Sequence, residues 1–281
     1  AHTRVTLYDE LQQHLIDGGG NLECLKRHGG LKSSTVAEGY IEDSIRNKND
    51  NAQKILNPHD SPTSGMIAES CARPSVSSTI TNAYQENYRT LGINANMGEA
   101  DSLEVFSIYA QVGSASLEKS RLLVQFPIDD IAQQRSLGNL PSSGSVEFYL
   151  RLFNVKHPFT LPRKFTVSIN PVSQSWEEGY GLDMESYADT GFVSGTGGFG
   201  TTWIYASSGS LWYTPGGDIL TGSGNDYTYY FEKGLEDVEL NITDLVESWI
   251  TGSTPNNGLL VKLSGSFEDG TQKTSFYTKK F

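Results

Sequence analysis

The alternation of apolar and polar residues changes character at about residue 75. After that point, several short runs place apolar residues at every second position, which is the period of a half-buried strand. Glycine, asparagine, serine and proline separate these runs. The predicted strands are 79–84, 102–111, 121–126, 145–155, 164–172, 227–232, 238–242, 259–263 and 274–281. Many short strands with few helices predict a mainly β domain over residues 76–281, an antiparallel β-sandwich of jelly-roll type.

A stretch near the C-terminus has the clearest local pattern. Apolar residues alternate over 238–242, and Thr243 is placed to cap a short helix over residues 244–249. The pair Asn257-Gly258 favours a tight turn, and the apolar run Leu259–Leu263 predicts a core strand. The predicted core residues of this stretch are Val238, Leu240, Ile242, Leu245, Trp249, Leu259 and Val261.

Residues 1–75 predict a mostly helical N-terminal arm. Thr6 and Asp9 resemble a helix capping box, and further short helices are indicated over 21–28 and 35–56. Isolated helices of this length are marginal in water, so the segment is either a loosely ordered extension or an arm that orders on a partner subunit. We favour the arm. Its predicted partner-binding residues are Leu7, Leu11, Leu15, Tyr40, Ile41 and Ile45.

The charge of the chain restricts its partners. The 281 residues carry a formal net charge of −12, which argues against nucleic-acid binding because that requires clustered Lys and Arg. The sequence contains no basic run of the membrane-binding type and no apolar stretch of about 18 residues. It has no apolar segment of a secretory signal at its N-terminus. We therefore expect neither nucleic acid nor a membrane as a partner.

Few residues suggest metal or thiol chemistry. The five histidines are scattered and show no metal-ligand spacing, so we expect no metal and no cofactor. Cys24 and Cys71 are either two reduced thiols or a disulfide joining two N-terminal segments, and we favour the thiols.

Two motifs were considered as catalytic or phosphate-binding elements. Glu177 and Glu178 resemble a glycosidase carboxylate pair, but adjacent residues of a strand point to opposite faces and cannot address one bond. The glycine-rich segment 195–200 lacks the lysine and the helix of a phosphate-binding loop. We therefore expect no catalytic residues.

An aromatic group in the segment 175–223 has two interpretations. Exposed aromatic rings on a β-sandwich stack against sugar rings in carbohydrate-binding modules, whereas buried ones are packing residues. We favour packing, and glycan binding stays open as the alternative. The candidate glycan-facing residues are Trp203, Tyr205, Trp212 and Tyr213.

Four segments resemble the core motifs of the DNRLRE-type β-sandwich domains. Residues 120–126 (SRLLVQF) resemble the R-x-L-L-x-F strand of that family, and residues 146–152 (VEFYLRL) resemble its A-x-L-x-L strand. Residues 173–178 (SQSWEE) resemble its S-W-x-E segment. Residues 242–249 (ITDLVESW) and 257–262 (NGLLVK) together resemble its V-T-x-L-V-x-x-W and N-x-G-L-L-L-K motifs. The resemblance implies a non-enzymatic, strand-rich scaffold without catalytic residues.

Three further segments are similar to virion proteins of tailed bacteriophages, particularly contractile-tailed phages of marine bacteria. They are residues 176–187 (WEEGYGLDMESY), 202–207 (TWIYAS) and 276–281 (FYTKKF). The resemblance begins at about residue 120 and does not include the arm. Related domains continue into a further strand after the last segment. We therefore expect either a longer protein or a neighbouring subunit that completes the sheet.

Two functions follow as hypotheses. The first is a structural subunit of a virion, in the head, neck, tail or baseplate, assembled in the host cytoplasm. Its partners would be other virion subunits, including copies of itself. The second is a carbohydrate-binding β-sandwich module on a fibre or a secreted polysaccharide enzyme.

Overall fold

The computed structural model describes residues 3–9, 69–155, 162–185, 200–269 and 276–281, with 3–9, 69–71 and 276 described by their backbone alone. Within these ranges the chain is mainly β, with two α-helices and one 3₁₀ turn (Gly265–Phe267). The helices are α1 (Ile128–Ser136) and α2 (Thr243–Ile250). The strands are β1 (Thr3–Asp9), β2 (Glu69–Ala72), β3 (Val76–Thr81), β4 (Glu104–Tyr109), β5 (Leu117–Gln125), β6 (Val146–Leu152), β7 (Phe165–Pro171), β8 (Tyr205–Ser207), β9 (Ser210–Leu211), β10 (Tyr227–Phe231), β11 (Val238–Asn241), β12 (Leu259–Leu263) and β13 (Phe276–Lys280).

Seven strands form a curled antiparallel sheet. Its order is β10-β7-β12-β5-β4-β13, and β3 pairs with the other edge of β5. Along one edge of β5, β4 pairs with residues 117–120 and β12 pairs with residues 122–124. The sheet therefore continues in two directions from β5 and curls around the inner core.

A smaller sheet of four strands has the order β11-β6-β1-β2. The β11–β6 pair is antiparallel, whereas β1 runs parallel to both β6 and β2. Thr6 lies opposite Tyr149 on one side and Cys71 on the other.

The start of the chain corrects one sequence prediction. Residues 3–9 form a strand, whereas Thr6 and Asp9 were predicted to begin a helix. The segment contains β-branched residues at Thr3, Val5 and Thr6, and the edge of β6 offers it backbone partners along its full length. Leu7 therefore lies in β1. The other predicted arm residues, Leu11, Leu15, Tyr40, Ile41 and Ile45, lie outside the described residues.

The two sheets share one apolar core, which we call the inner core. The small sheet contributes Val146, Phe148, Leu150 and Leu152 from β6 and Val238 from β11. The curled sheet contributes, among others, Leu122, Val124, Val167, Ile169, Phe231 and Val261. The helices complete this core with Ile128, Ile131, Leu245, Val246 and Trp249.

A second apolar cluster covers the outer face of the curled sheet. Leu123 lies in this cluster, whereas its neighbours Leu122 and Val124 face the inner core. In the same way, Leu260 belongs to the outer cluster, between two inner-core residues of β12. Both faces of these central strands are buried, which explains their continuous apolar runs. The other members are Ile80, Val172, Trp176, Trp203, Ala206 and Trp212, and we call residues 172–185 and 200–219 the outer layer.

Most of the prediction for residues 238–263 is confirmed. The strand over 238–241, the short helix and the strand Leu259–Leu263 are all present, and Leu240 is only partly buried. Thr243 is not a cap, because the N-cap position of α2 is Ile242. The Thr243 hydroxyl instead accepts the Phe148 N–H at 2.9 Å, which connects the helix to β6. Neither described helix is long and apolar enough to cross a membrane.

Candidate functional site

A buried asparagine joins its own loop to two loops of the outer layer. The Asn96 side chain is fully buried, and its Nδ2 donates to the carbonyl oxygens of Glu178 (2.6 Å) and Thr201 (2.7 Å). Its Oδ1 accepts the N–H groups of Gly181 (2.8 Å) and Gly98 (3.2 Å). All hydrogen-bonding positions of one amide are therefore used to hold backbone groups of three segments.

The glycines around Asn96 allow this close approach. A Cβ at Gly181 would overlap the Asn96 carbonyl oxygen, and one at Gly98 would overlap the Glu178 carbonyl oxygen. Gly179 adopts a positive φ of 84° directly against the Asn96 amide. The segment Trp-Glu-Glu-Gly-Tyr-Gly therefore contains its glycines because side chains do not fit at this junction.

The two adjacent glutamates serve different backbone groups. Glu177 accepts the Ser208 N–H at 3.0 Å, whereas Glu178 accepts the Ser77 N–H at 2.7 Å. Burial raises the pKa of the Glu178 carboxyl, and the Ser77 N–H opposes that shift. Glu177 therefore links two parts of the outer layer and Glu178 links that layer to β3, so the two carboxylates do not converge on one bond.

The residues of two resemblance motifs meet at Trp176. Its indole Nε1 donates to the Asn257 carbonyl oxygen at 2.8 Å, and Asn257 Nδ2 donates to the Val172 carbonyl oxygen at 3.3 Å. Gly258 has a φ of 81°, and a Cβ there would overlap the Val124 carbonyl oxygen. The turn before β12 therefore requires glycine and is anchored by the outer layer.

Arg121 connects β5 to the outer layer and to the C-terminal region. Its guanidinium makes a two-point ion pair with Glu268 (Nε to Oε1 2.7 Å, Nη2 to Oε2 3.1 Å). Nη1 donates to the Gly216 carbonyl oxygen at 2.6 Å, and the guanidinium lies 5.0 Å from the Trp203 ring. Lys262 Nζ lies 3.7 Å from the same carboxylate. The arginine of the R-x-L-L-x-F motif therefore joins three segments.

Burial separates the four candidate glycan-facing aromatics into two pairs. Trp203 and Trp212 are 7% and 4% exposed and belong to the outer cluster, so packing describes their role here. Tyr205 is 38% exposed and Tyr213 is 89% exposed. These two tyrosines lie on or next to the β8–β9 hairpin, where Leu211 is also exposed. Any stacking on a sugar ring in this region would therefore use the two tyrosines.

The turn after the hairpin is held by a carboxylate. Asp218 accepts the N–H groups of Tyr213 (2.6 Å) and Thr214 (2.8 Å) through its two oxygens. The Trp212 indole donates to the Thr202 carbonyl oxygen at 3.0 Å. The backbone that presents Tyr213 is therefore fixed from both sides.

An open cleft of about 540 Å³ lies between the 84–88 turn, the 97–102 segment, β4 and residues 182–185. Two hydrogen bonds join its walls. Gln85 Nε2 donates to the Met184 carbonyl oxygen at 2.9 Å, and the Glu86 N–H donates to Glu185 Oε1 at 2.7 Å. The cleft is therefore formed by contacts between segments that are distant in sequence.

A buried lysine lies near the C-terminus. Lys279 is fully buried, and its Nζ donates to Asn154 Oδ1 (2.6 Å) and to the carbonyl oxygens of Glu236 (2.9 Å) and Gly234 (3.2 Å). Burial lowers its pKa to about 8, although the carboxylates of Asp237 and Glu236 oppose the shift. The sequence gives no sign of this burial, because a lysine in a Lys-Lys pair normally predicts solvent exposure.

Most of the remaining candidate metal, thiol and phosphate-binding residues lie outside the residues that the structure describes. All five histidines, Cys24 and most of the glycine-rich segment 195–200 lie in undescribed parts of the chain. Across the part that is described, no three His, Cys, Asp or Glu side chains are grouped to hold a metal ion. No family model and no curated protein sequence matches the chain.

Proposed function

We propose that this chain is a non-enzymatic structural subunit of a bacteriophage virion, in the head, neck, tail or baseplate. Its two sheets would form an antiparallel sandwich of jelly-roll type, and the N-terminal arm would contact neighbouring subunits. Support for the sandwich comes from the core, because β6 and β11 share one apolar cluster with β5, β7, β10 and β12.

One observation carries the proposal. The polar residues within the resemblance motifs make contacts that join distant segments of the backbone. Arg121 contacts Glu268, Trp176 contacts Asn257, and Glu178 contacts Ser77. Residues that bind each other in this way stabilise a rigid body, which is the role that the resemblance implies.

The N-terminal strand supports the proposed role of the arm. β1 pairs along its length with β6 and also with β2, although residues 10–68 separate it from β2 in sequence. A long segment between two paired strands has both ends attached to the domain. It could therefore extend from one sheet and contact a neighbouring subunit without separating from its own.

The proposal is tested on particles from a lysate of the phage that encodes the chain. Antibodies raised against the full chain are used for immunogold labelling of gradient-purified particles, with preimmune serum as the control. We expect label at one fixed place on the particle. If the chain sediments only as free protein and no particle is labelled, the virion assignment is wrong.

The arm is tested separately by a variant that keeps both paired strands. Residues 10–68 are replaced by a flexible linker of about 15 residues, which is sufficient for a crossover between parallel strands. We expect the variant to fold, as judged by circular dichroism, and to enter particles at a much lower level than the natural chain. Normal incorporation would contradict the arm hypothesis and leave the virion assignment intact.

Carbohydrate binding is the second candidate function, and the exposure of Tyr213 favours it. This ring is 89% exposed on a backbone held by Asp218, and Tyr205 lies on the hairpin that precedes it in the chain. Rigid aromatic rings of this kind can stack against sugars.

A glycan array probed with the chain and with Tyr213→Ala tests carbohydrate binding at this turn. Tyr230→Ala is the control, because the Tyr230 ring is 53% exposed in the natural chain. Binding that is unchanged in Tyr213→Ala would exclude the hairpin as the site.

A further inference from the structure

The cleft between the 84–88 turn and residues 182–185 has a strongly acidic lining. Five carboxylate residues and a single lysine line it. The lysine, Lys280, forms an ion pair with Glu104 at 3.1 Å, and Thr278 donates to the same carboxylate at 2.7 Å. Glu104 and Lys280 therefore neutralise each other. The lining has no second Lys or Arg to balance Glu86, Asp101 and Glu185.

Two of these carboxylates are available to a ligand. Glu86 and Asp101 are exposed, and within the described chain their carboxylates make no hydrogen bond or ion pair. They belong to different segments, because Glu86 lies in the 84–88 turn and Asp101 precedes β4. A ligand that reaches both must therefore contact both segments.

The lining also contains aromatic and thioether side chains. Tyr84, Tyr88 and Phe106 supply rings, and Met97 and Met184 supply further apolar surface. Tyr88 is 55% exposed. The faces of aromatic rings attract cations, and the methylene groups of Lys and Arg pack well on apolar surface. Rings and carboxylates together therefore match a charged group on an aliphatic stem.

We propose that this cleft binds a basic peptide segment of a partner protein, through at least two Lys or Arg side chains. The cationic groups would contact Glu86 of the 84–88 turn and Asp101 of the segment before β4, and an aliphatic stem would pack against Tyr88 and Phe106. Charge complementarity selects this partner, because the net charge of −12 on the chain attracts cations from a distance and the cleft repels phosphate or sulfate groups. The inference rests on the cleft alone and does not require the virion assignment.

The test measures fluorescence anisotropy of a labelled peptide of alternating arginine and glycine on titration with the full chain. It uses low salt, about 50 mM, because exposed charges are screened at higher ionic strength. The double variant Glu86→Gln/Asp101→Asn is compared with Asp129→Asn/Asp130→Asn, which removes the same charge from the exposed start of α1. We expect the cleft variant to weaken binding about tenfold, and the control to change it less than about twofold.

A second variant separates ring contacts from charge. Tyr88→Ala removes an exposed ring without changing charge, and we expect it to weaken the arginine peptide about threefold. The same peptide with glutamate in place of arginine should not bind.

Three outcomes would overturn the inference. Equal weakening by the two charge variants would show attraction to net charge rather than to the cleft. The absence of saturable binding up to about 1 mM chain would show that the cleft does not take a basic peptide. Binding of chitotetraose that depends on Tyr88, with no binding of the arginine peptide, would assign the cleft to a saccharide instead.

Discussion

At the scale of single residues, Lys279 combines a charge with complete burial. Its ammonium lies 4.8 Å from the centre of the Phe231 ring and 5.3 Å from that of Phe281, in addition to its three hydrogen bonds. These contacts favour the charged form, but the loss of water opposes it more strongly, because the pKa falls to about 8 from an ordinary value of 10.5. The group should therefore make stability depend on pH.

The sign follows from the protons bound in each state. Between about pH 8 and pH 10.5 the unfolded chain keeps a proton on Lys279 that the folded chain has lost. The free energy of unfolding contributed by this group therefore rises with pH across that window, by about 3 kcal/mol in total. Urea unfolding from pH 7 to pH 9 measures the slope. This upper limit lies below the ordinary tyrosine pKa of 10, because burial raises the pKa of Tyr227 and Tyr229 in the fold and their ionisation in the unfolded chain would lower stability at higher pH.

The variant Lys279→Met should lose the part of the rise that Lys279 contributes, because it has no proton to release; burial also lowers the pKa of Lys119, and that smaller part stays in the variant. Lys164→Met is the control, since the Lys164 side chain is 70% exposed and pairs loosely with Glu232. The control should keep the slope of the natural chain. A Lys279→Met variant with an unchanged slope would mean that other groups determine the pH dependence.

Gly181 gives a second prediction at this scale. A Cβ at this position would overlap the Asn96 carbonyl oxygen, which belongs to a buried and fully hydrogen-bonded junction. Gly181→Ala should therefore lower the free energy of unfolding by about 1–3 kcal/mol, as overpacking does in other cores. Gly113→Ala is the matched control because nothing lies within 4 Å of its Cβ, and it should change stability little. Similar values for the two variants in chemical denaturation would contradict the packing described here.

At the scale of secondary-structure elements, the distance in sequence between partners decides what could be predicted. α2 and β12 were predictable because the local spacing of apolar residues and the Asn257-Gly258 turn are enough to specify them. The Asn96, Arg121 and Lys279 contacts were not, because their partners lie far away; Arg121 and Glu268 are 147 positions apart. Local sequence patterns therefore predict the strands, whereas the contacts of the outer layer can be identified only from the three-dimensional structure.

β1 is the element that the sequence analysis assigned to the wrong structure, and Thr6 provides its test. As a helix cap, Thr6 would hydrogen-bond to the backbone, and Thr6→Val would cost about 1 kcal/mol. As a strand residue between Tyr149 and Cys71, the same change should be neutral or slightly stabilising, because valine favours strands. We expect the second result in chemical denaturation.

Thr6→Pro completes this test. A proline cannot donate to a strand that has neighbours on both sides, so we expect a loss of about 3 kcal/mol. If Thr6→Val destabilises the chain by about 1 kcal/mol and Thr6→Pro has little effect, residues 3–9 do not form the strand described here.

At the scale of the whole molecule, the curled sheet separates an inner core from an outer layer of different construction. The inner core consists mainly of strand side chains and two helices, whereas the outer layer consists of loops around three buried tryptophans. The loops are joined to the sheet by a few polar residues, of which Arg121 makes the largest set of contacts described above. Two layers held in such different ways need not open together.

Arg121→Met tests whether the outer layer opens by itself. The change removes the ion pair to Glu268 and the hydrogen bond to Gly216, which leaves a buried carboxylate without its main partner. The amide of Gly216, which donates to the Trp203 carbonyl oxygen, and that of Trp212 should exchange with solvent at least about tenfold faster. Amides of β6 should keep their protection.

Arg151→Met is the matched control for that measurement. Arg151 pairs with Glu239 at 3.2 Å on the small sheet, where the two side chains are 28% and 43% exposed. We therefore expect no change in the exchange of Gly216 or Trp212 in this variant. If Arg121→Met instead accelerates exchange equally in the outer layer and in β6, the two layers unfold as one unit. The ion pair would then stabilise the whole domain rather than attach a separable layer to it.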